Sequence, residues 1–350
     1  GRYSSRDAYI RAYYGSYLSY NHLVELLTKD ALASDYAQHT YDGFTYTDAD
    51  YETYYQENAD TLDNYTLSQF IFRANVSTTD EDGNTIEMTD EEKADALAAA
   101  QAEIKPVAEE LQSKLEAGED PAALAEEYAD QLYSSSVSKA TVGSSLDSQY
   151  SDWAKDSARQ AGDVTLVENN SSDTTTYYYV VQFEGRARDD SNTADVRHIL
   201  VKAEVSDGAE APTEEQYAAA EESAQAMLDQ WKAEGGTEDA FALLAMENTA
   251  DSGSQATGGL YTGVSSANAW DQNFLDWALD PARQSGDTGL VKNESSSTKG
   301  WHIMYFVGWN DPSWMYSVKT TLKSEDMTEW MDSLTAEAEV VQGSGISHIS

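Results

Sequence analysis

The chain has 350 residues, of which 40% are hydrophobic, and a formal net charge of −42 from 63 acidic and 21 basic side chains. This length and composition predict two or three domains with their own cores, and the negative charge argues against nucleic acid or an anionic membrane surface as partner. The chain contains no cysteine, which excludes disulfides, thiolate metal sites and cysteine nucleophiles. No apolar run is long enough to span a membrane, so no transmembrane segment is expected.

The first part of the chain predicts helices. Apolar and aromatic residues recur at helical spacing from about Ser5 to Ala37, which indicates one long helix that can break near Gly15. A second, short helix is expected after Thr47, which can cap it, with Asp48 and Asp50 suited to its first turn.

A strand at Thr66–Arg73 and a long helix are predicted next. The acidic run Asp80–Gly83 lacks the ligand spacing of a calcium loop, which favours an ordinary strand-to-helix turn. Thr89–Glu92 is a capping box, and the leucines that follow it recur on one helical face. Pro106 is expected to kink or break this helix.

The second half of the chain repeats the first. Asp156–Asp163 returns as Asp280–Asp287, and Leu166–Ser172 returns as Leu290–Ser296 at the same separation. Several matches at one separation indicate a tandem duplication with diverged halves. Each half is predicted to run strand, long helix, short helix, Gly/Ser loop, helix and strand.

The elements of the second half have clear start and stop signals. A polar linker at Arg186–Thr193 precedes it, and a capping box at Thr213–Gln216 starts its long helix. Gly235 and Gly236 end that helix, and Thr237–Ala245 predicts a short one. After the closing strand, turn residues precede a last helix that reaches about Leu334, and a terminal strand is expected at Glu339–Gln342.

Two histidines lie in the strands that open and close the second half. His198 lies within Asp195–Val201 and His302 within Gly300–Val307, and both stretches predict short buried strands. A histidine alone in such a strand is usually a hydrogen-bonded core residue. A pair on two strands, in a chain with five histidines, favours a functional site.

About residues 194–309 resemble a parvulin-type peptidyl-prolyl isomerase domain, because six landmarks of that family occur in the right order. They are the strand Arg197–Leu200, the helix Phe241–Ala245, the acid and loop Asp251–Ser254, the turn Gly258–Leu260, the pair Trp270 and Phe274, and the strand Gly300–Ile303. The flanking segments are similar to extracytoplasmic foldases of the PrsA and SurA type, in which terminal helices form a chaperone module.

The resemblance implies a site that uses no cofactor and no metal. Its implied catalytic residues are His198, Asp251, His302 and Ser297. Its implied substrate-binding residues, the apolar walls around a proline ring, are Trp270, Phe274 and Leu279. Rotation about an X–Pro bond breaks no covalent bond, so the two histidines are expected to bond each other and fix tautomers rather than attack the substrate.

The sequence departs from the family pattern at several positions. Gly258–Gly263 replaces the family's Gly-Gly-Asp-Leu-Gly, Trp270 replaces its usual methionine, and the loop before the closing strand is longer. In the first half, Gln69 and Tyr179 stand at the two histidine positions and Tyr150 stands at the phenylalanine position. The first half therefore resembles the fold without the site.

Two other chemistries are weaker interpretations of the same residues. A zinc site would need a third ligand at a recognisable spacing, and the sequence offers none. Ser254 or Ser297 as a hydrolase nucleophile lacks a nucleophile-elbow sequence around it.

The predicted fold class is α+β, with two tandem parvulin-like domains, each a small antiparallel sheet flanked by helices, plus a helical module. The predicted division is an N-terminal helical chaperone-like segment at 1–62, a degenerate first domain at 63–188 and a site-bearing second domain at 189–311. The C-terminal helix and tail, 312–350, are expected to pack with the N-terminal segment.

The predicted function is an extracytoplasmic bacterial folding factor that isomerises X–Pro bonds in unfolded or newly exported polypeptides. A secreted or cell-surface location, with a lipid anchor preceding residue 1, is part of this expectation. Two alternatives stay open: a non-catalytic chaperone that holds extended polypeptide, and an acidic surface scaffold. Nucleic acid is not an expected partner.

Overall fold

A computed structural model of the chain describes residues 3–15, 18–79, 83–206, 208–209, 211–268, 270–294 and 298–336. The chain divides into two compact units, Gly1–Tyr54 with Ser317–Ser350, and Tyr55–Tyr316. None of the described helices combines the length and the apolar character that a membrane crossing requires.

The first unit is helical. It contains α1 (Arg6–Tyr14), α2 (Tyr20–Gly43), the start of α3 (Asp48–Leu62) and most of the C-terminal helix (Ser313–Thr335). The predicted break near Gly15 is confirmed, because α1 ends at Tyr14 and Gly15 takes a φ of 115°, which glycine adopts at little cost. The helical pattern ends later than predicted, since α2 continues past Ala37 to Gly43.

The C-terminal helix contacts the N-terminal helices inside this unit. The Tyr46 hydroxyl donates to Asp326 Oδ2 at 2.6 Å, and Lys323 Nζ donates to the Tyr41 carbonyl at 2.9 Å. The rings of Tyr36 and Trp330 lie 5.8 Å apart. Both ends of the chain thus form one helical module.

The second unit contains two four-stranded antiparallel sheets. The first consists of β1 (Asn64–Asn75), β2 (Ser134–Val142), β3 (Val164–Ser172) and β4 (Thr175–Ala187), in the order β2-β1-β4-β3. Its helices are α4 (Asp90–Glu116), α5 (Pro121–Glu127) and α6 (Ser151–Lys155). The capping box predicted at Thr89–Glu92 is present at the start of α4.

The second sheet has the same strand order. Its strands are β5 (Asn192–Lys202), β6 (Leu260–Val264), β7 (Thr288–Asn293) and β8 (Gly300–Pro312), in the order β6-β5-β8-β7. Its helices are α7 (Glu214–Ala233), α8 (Glu238–Asn248) and α9 (Gln272–Ala278), and β8 leads into the C-terminal helix, α10. The α+β class and the two small antiparallel sheets are therefore confirmed.

Alternation along the central strands of the second sheet separates two cores. Ile199 and Ile303 face α7 and α8, where they pack with Trp231 and Phe241. Val196, Met304 and Phe306 face the other way and pack with α9 through Phe274, Leu275 and Ala278. Because side chains alternate with a period of two, His198 and His302 share the α9 face.

Several elements differ from the predictions. The expected break of the long helix at Pro106 is wrong, because α4 runs through that residue to Glu116. The edge strands β2, β3, β6 and β7 were not predicted, since these edge strands carry little apolar alternation. The expected terminal strand Glu339–Gln342 and residues 80–82 of the acidic turn lie outside the described residues. The four-part division of the chain stays a prediction.

Candidate active site

The two central strands bring the predicted histidines together. The register pairs His198 with Met304 and Leu200 with His302, so the histidines are diagonal neighbours on one face of the sheet. Their Nδ1 atoms lie 3.0 Å apart. His198 is 2% exposed and His302 is 7% exposed, so the contact between them is shielded from water.

Asp251, in the loop after α8, anchors this pair from one side. Its Oδ2 atom lies 3.0 Å from His198 Nε2 and accepts hydrogen bonds from Ser254 Oγ at 2.5 Å and from the Tyr261 hydroxyl at 2.9 Å. Ser254 Oγ also lies 3.1 Å from His198 Nε2. One carboxylate oxygen therefore has three hydrogen-bond donors around it.

The hydrogen-bond network assigns the tautomers of both histidines. His198 donates from Nε2 to Asp251, so in the neutral ring its Nδ1 is an acceptor. His302 then donates from Nδ1 to that nitrogen, and its own Nε2 carries a lone pair. The chain of contacts holds both rings in fixed orientations, without a proton having to move.

The electrostatics of the site agree with a neutral His302 near an ionised Asp251. The hydrogen bond from His198, more than those from Ser254 and Tyr261, holds the pKa of Asp251 well below its usual range. Burial, with a smaller effect of His198, lowers the pKa of His302 to about 3. Burial and the bond to Asp251 raise the pKa of the Tyr261 phenol to about 12.

Aromatic rings enclose the histidines. Tyr261 stacks on His198, with ring centroids 5.1 Å apart and planes 22° apart. Phe274 presents an edge-to-face contact to His198 at 5.6 Å and to His302 at 5.2 Å. Trp270 packs on Tyr261 at 4.8 Å and on Phe274 at 5.5 Å. These rings form an apolar surface over the hydrogen-bonded floor of the site, which consists of Asp251, His198 and His302.

The double-glycine turn allows the chain to pass next to His198. Gly259 has a φ of +74°, and a Cβ added there would lie 2.2 Å from the His198 carbonyl oxygen. The Gly259 carbonyl accepts the His198 N–H at 2.9 Å. The two glycines of the turn are therefore required by the conformation and the close approach.

The structure brings most of the predicted site residues together. His198, Asp251, His302, Phe274 and Trp270 form one contiguous cluster. Trp270 remains 39% exposed at its outer edge. The fourth predicted catalytic residue, Ser297, lies outside the described residues.

Leu279 occupies a different place from the other predicted wall residues. It packs at the margin of the α9 core and lines a cavity of about 480 Å³. Pro281 and Trp309 share that cavity with it. Phe274 and Trp270 are thus the two predicted wall residues that contact the histidine cluster.

Two members of the site were missed by sequence reasoning. Ser254 was considered only as a nucleophile, although its place three residues after Asp251 in a Ser/Gly loop allows it to fold back on the acid. Tyr261 was noticed only as part of a departure from the family's turn. A tyrosine directly after a Gly-Gly turn beside a histidine strand was the available signal.

The first sheet places other residues at the equivalent strand positions. Gln69 pairs with Val181 as His198 pairs with Met304, and Ile71 pairs with Tyr179 as Leu200 pairs with His302. Gln69 lines a cavity of about 340 Å³ together with Lys139, Asp147 and Tyr150. In neither sheet do the described residues include a group of three or more histidine or acidic side chains placed to hold a metal ion.

Comparison with known proteins assigns part of the chain to a family. Residues 178–307 match the model of the PPIC-type PPIase domain. A search of curated proteins finds no match. Solved structures with some likeness include the peptidylprolyl isomerase PrsA of Bacillus anthracis, at 18% identity and a TM-score of 0.26, covering 44% of this chain and 64% of that one.

Two further solved structures give similar values. A SurA-like chaperone of Campylobacter jejuni has 18% identity and a TM-score of 0.24, covering 43% of this chain and 56% of that one. The foldase PrsA of Streptococcus pneumoniae has 17% identity and a TM-score of 0.26, covering 45% and 56%. The chain spans less than two thirds of each, and these scores support no further conclusion. The family model is the comparison that carries weight, and it matches residues 178–307 as a PPIC-type PPIase domain.

Proposed function

We propose that the chain is a protein-folding factor whose second sheet bears an active prolyl isomerase site. The observation that supports this is the chain of contacts from Asp251 through His198 to His302 beneath the rings of Phe274 and Trp270. All of these residues lie inside the stretch that matches the isomerase family. The first sheet has neither histidine.

Prolyl isomerisation requires a binding surface of suitable shape and polarity rather than a chemically reactive side chain. Rotation about an X–Pro bond crosses a barrier of about 18–20 kcal/mol because the planar amide must lose its conjugation. The twisted amide is the less polar form, so an apolar surface favours it over the planar ground state. Phe274 and Trp270 supply that surface for the proline ring in our proposal.

The hydrogen-bonded residues have a positioning role in this proposal. Asp251 fixes the tautomer of His198, and His198 fixes His302. With its pKa lowered to about 3, His302 stays neutral at physiological pH. A neutral ring at this position avoids stabilising the planar, more polar amide. Ser297, one of the residues implied by the family, remains a proposed member of the site.

A second candidate is a chaperone that binds extended polypeptide without isomerising it. One observation favours it at the site: Trp270 packs directly on Tyr261 and Phe274 and covers part of the apolar surface. Another lies in the helical unit, where large apolar side chains of α1 and α2 are exposed, among them Tyr13, Tyr14, Leu27, Leu32 and Tyr36. Unfolded polypeptides are the clients in both candidates, and an extracytoplasmic location remains part of the proposal.

The test is a protease-coupled assay on a short X–Pro peptide. We expect the wild-type protein to accelerate isomerisation, and His198→Ala or His302→Ala to lower kcat/KM at least about tenfold, the effect of losing one net hydrogen bond. Gln69→Ala in the first sheet is the matched control and should leave the rate unchanged. A wild-type protein no faster than buffer that still suppresses aggregation of an unfolded client would establish the second candidate instead.

A further inference from the structure

The first sheet carries a cavity that is separate from the candidate isomerase site. It has a volume of about 300 Å³ and lies between helix α4 and strands β3 and β4. The residues that line it include Ala102, Lys105, Pro106, Glu109, Glu168 and Tyr178.

Tyr178 presents an unpaired hydroxyl at this cavity. The residue is 1% exposed, and its buried hydroxyl has no hydrogen-bond partner among the residues that the structure describes. The charged groups that act on this hydroxyl are Glu168, Lys105 and Glu109, and all three line the cavity. A buried hydroxyl without a partner costs free energy, which a bound group that pairs with it would recover.

Pro106 leaves a second acceptor at the same place without its usual helical donor. Helix α4 continues through Pro106, which has no N–H to donate to the carbonyl four residues earlier. That carbonyl belongs to Ala102, another residue of the cavity lining. The cavity therefore combines a phenolic oxygen with a carbonyl oxygen that lacks its helical donor.

The charges around the cavity favour a cation. Lys105 Nζ lies 3.0 Å from Glu168 Oε2, so these two charges compensate each other. Glu109 has no cation within ion-pair distance among the described side chains, which leaves one carboxylate in excess. A primary ammonium has three N–H donors and no acceptor, which matches a phenolic oxygen, a carbonyl and a carboxylate. An anionic ligand would meet the excess negative charge of Glu109, which disfavours its binding.

The second sheet fills the equivalent place with its own groups. By strand register Tyr178, between Phe72 and Glu168, corresponds to Trp301, between Val201 and Lys292. Trp301 Nε1 is not left unpaired, because it donates to the Tyr217 carbonyl on α7 at 3.1 Å.

The comparison of the two sheets also shows that a lysine of the chain places its own ammonium at this position in the second sheet. Lys292, the counterpart of Glu168, places Nζ 4.4 Å from the centroid of the Tyr217 ring. The first sheet has an acid at this strand position and an unpaired hydroxyl next to it. In the second sheet the ammonium at this place contacts the Tyr217 ring, whereas in the first sheet Lys105 pairs with Glu168 and leaves the Tyr178 hydroxyl without a hydrogen-bond partner.

We propose that the cavity of the first sheet binds a primary alkylammonium group, either the side chain of a lysine in a polypeptide or a small free amine. The ammonium donates to Tyr178 Oη, to the Ala102 carbonyl and to the Glu109 carboxylate. The chemistry is the same for both sources. This site is independent of prolyl isomerisation.

The test is calorimetric or NMR titration of the full chain in about 150 mM salt, which screens diffuse attraction to the acidic surface. The probes are Nα-acetyl-lysine methylamide, its norleucine counterpart without the ammonium, and n-butylamine. We expect the lysine derivative to bind and the norleucine derivative not to bind. Saturable binding of n-butylamine as well would identify a free amine as sufficient, and binding of the lysine derivative alone would identify a polypeptide source.

Two variants make the test specific. Tyr178→Phe removes only the hydroxyl, and Pro106→Ala returns an N–H to the Ala102 carbonyl, so each should weaken binding at least about fivefold. Tyr177→Phe, on the opposite face of β4, is the control and should bind as the wild type does. Tyr178→Phe should unfold at no lower denaturant concentration than the wild type, since it loses an unpaired group. Equal affinity for the norleucine probe, no binding at all, or unchanged binding in both variants would overturn the proposal.

Discussion

The two sheets of the second unit share strand order and register but differ at the positions of the proposed site. Gln69 and Tyr179 occupy in the first sheet the places that His198 and His302 occupy in the second. Both sheets are complete, with buried central strands. The fold therefore does not need histidine at either position, so the pair in the second sheet calls for an explanation other than packing.

The residues around these positions also differ between the two sheets. In the second sheet, one oxygen of Asp251 gathers three donors beside the histidines. In the first sheet, the cavity at Gln69 is lined by Lys139 and Asp147, whose Oδ1 accepts the Gln149 N–H at 2.9 Å. One sheet has a closed network under an aromatic surface, and the other has separate polar groups around an open cavity. The following predictions test this difference, from the largest expected effect to the smallest.

Replacing Gly259 should damage the second sheet most. In Gly259→Ala the new Cβ meets the His198 carbonyl oxygen at 2.2 Å in a left-handed conformation, so we expect a loss of about 2–4 kcal/mol in the free energy of unfolding. Urea unfolding measures it. Gly185→Ala in the first sheet has nothing within 4 Å of its new Cβ and should change stability by less than about 1 kcal/mol. Equal effects of the two changes would contradict the close approach.

Removing the acid should disturb the network next. Asp251→Ala leaves His198 Nε2, Ser254 and Tyr261 without their common acceptor, so we expect about 1–3 kcal/mol lower stability and a fall in kcat/KM. Asp147→Ala in the first sheet is the matched control and should leave kcat/KM in the coupled assay unchanged. If both variants kept wild-type rates, Asp251 would have no role in positioning the histidines.

Removing one donor should have a smaller effect. Tyr261→Phe keeps the ring stacked on His198 and deletes only the bond to Asp251, so we expect a few-fold loss in kcat/KM with KM almost unchanged. Tyr150→Phe, which removes a phenolic hydroxyl beside the first sheet, is the control and should leave kcat/KM unchanged in the same assay. A loss confined to KM would instead show that the Tyr261 hydroxyl contacts the substrate.

The last prediction stands outside this order and concerns the pH dependence of the free energy of unfolding. The pKa of His302 is lowered to about 3 in the folded chain, so between about pH 3 and pH 6.5 the unfolded chain binds more protons and stability falls with acid. His302→Gln lacks this contribution, and the stability difference between wild type and variant should narrow as pH falls from 7 to 4. Urea unfolding at several pH values measures it. For Tyr179→Phe in the first sheet, the difference in free energy of unfolding from wild type should stay constant from pH 7 to pH 4. The same constant difference for His302→Gln would contradict a neutral, buried His302.

Much of the site was predictable because its residues lie in regular elements. Histidines at fixed places in short apolar strands had to share a face, since side chains alternate along a strand. Asp251 and Phe274 followed from the order of family landmarks around those strands. The fold class followed in the same way, from helical and strand periodicities that survive in both halves.

What could not be predicted depends on loops and on distant contacts. The loop conformation that turns Ser254 and Tyr261 toward Asp251 is set by the Gly258–Gly259 turn and by packing on α8, and no local spacing encodes it. Leu279 has the apolar character of a pocket wall, yet the end of α9 directs it to another cavity. Pro106 was expected to kink or break the long helix, but a single missing N–H is tolerated where the helix packs on a sheet along its length.

The central claim is that catalysis belongs to the second sheet and depends on its histidine pair. The most direct measurement is kcat/KM on an X–Pro peptide for the double variant His198→Gln with His302→Tyr, which copies the first sheet's residues into the second, against Gln69→Ala with Tyr179→Ala. Near-UV circular dichroism confirms folding of both. We expect the first double variant to fall to the rate of buffer and the second to keep the wild-type rate. Full activity in the first variant, or its loss in the second alone, would contradict the account.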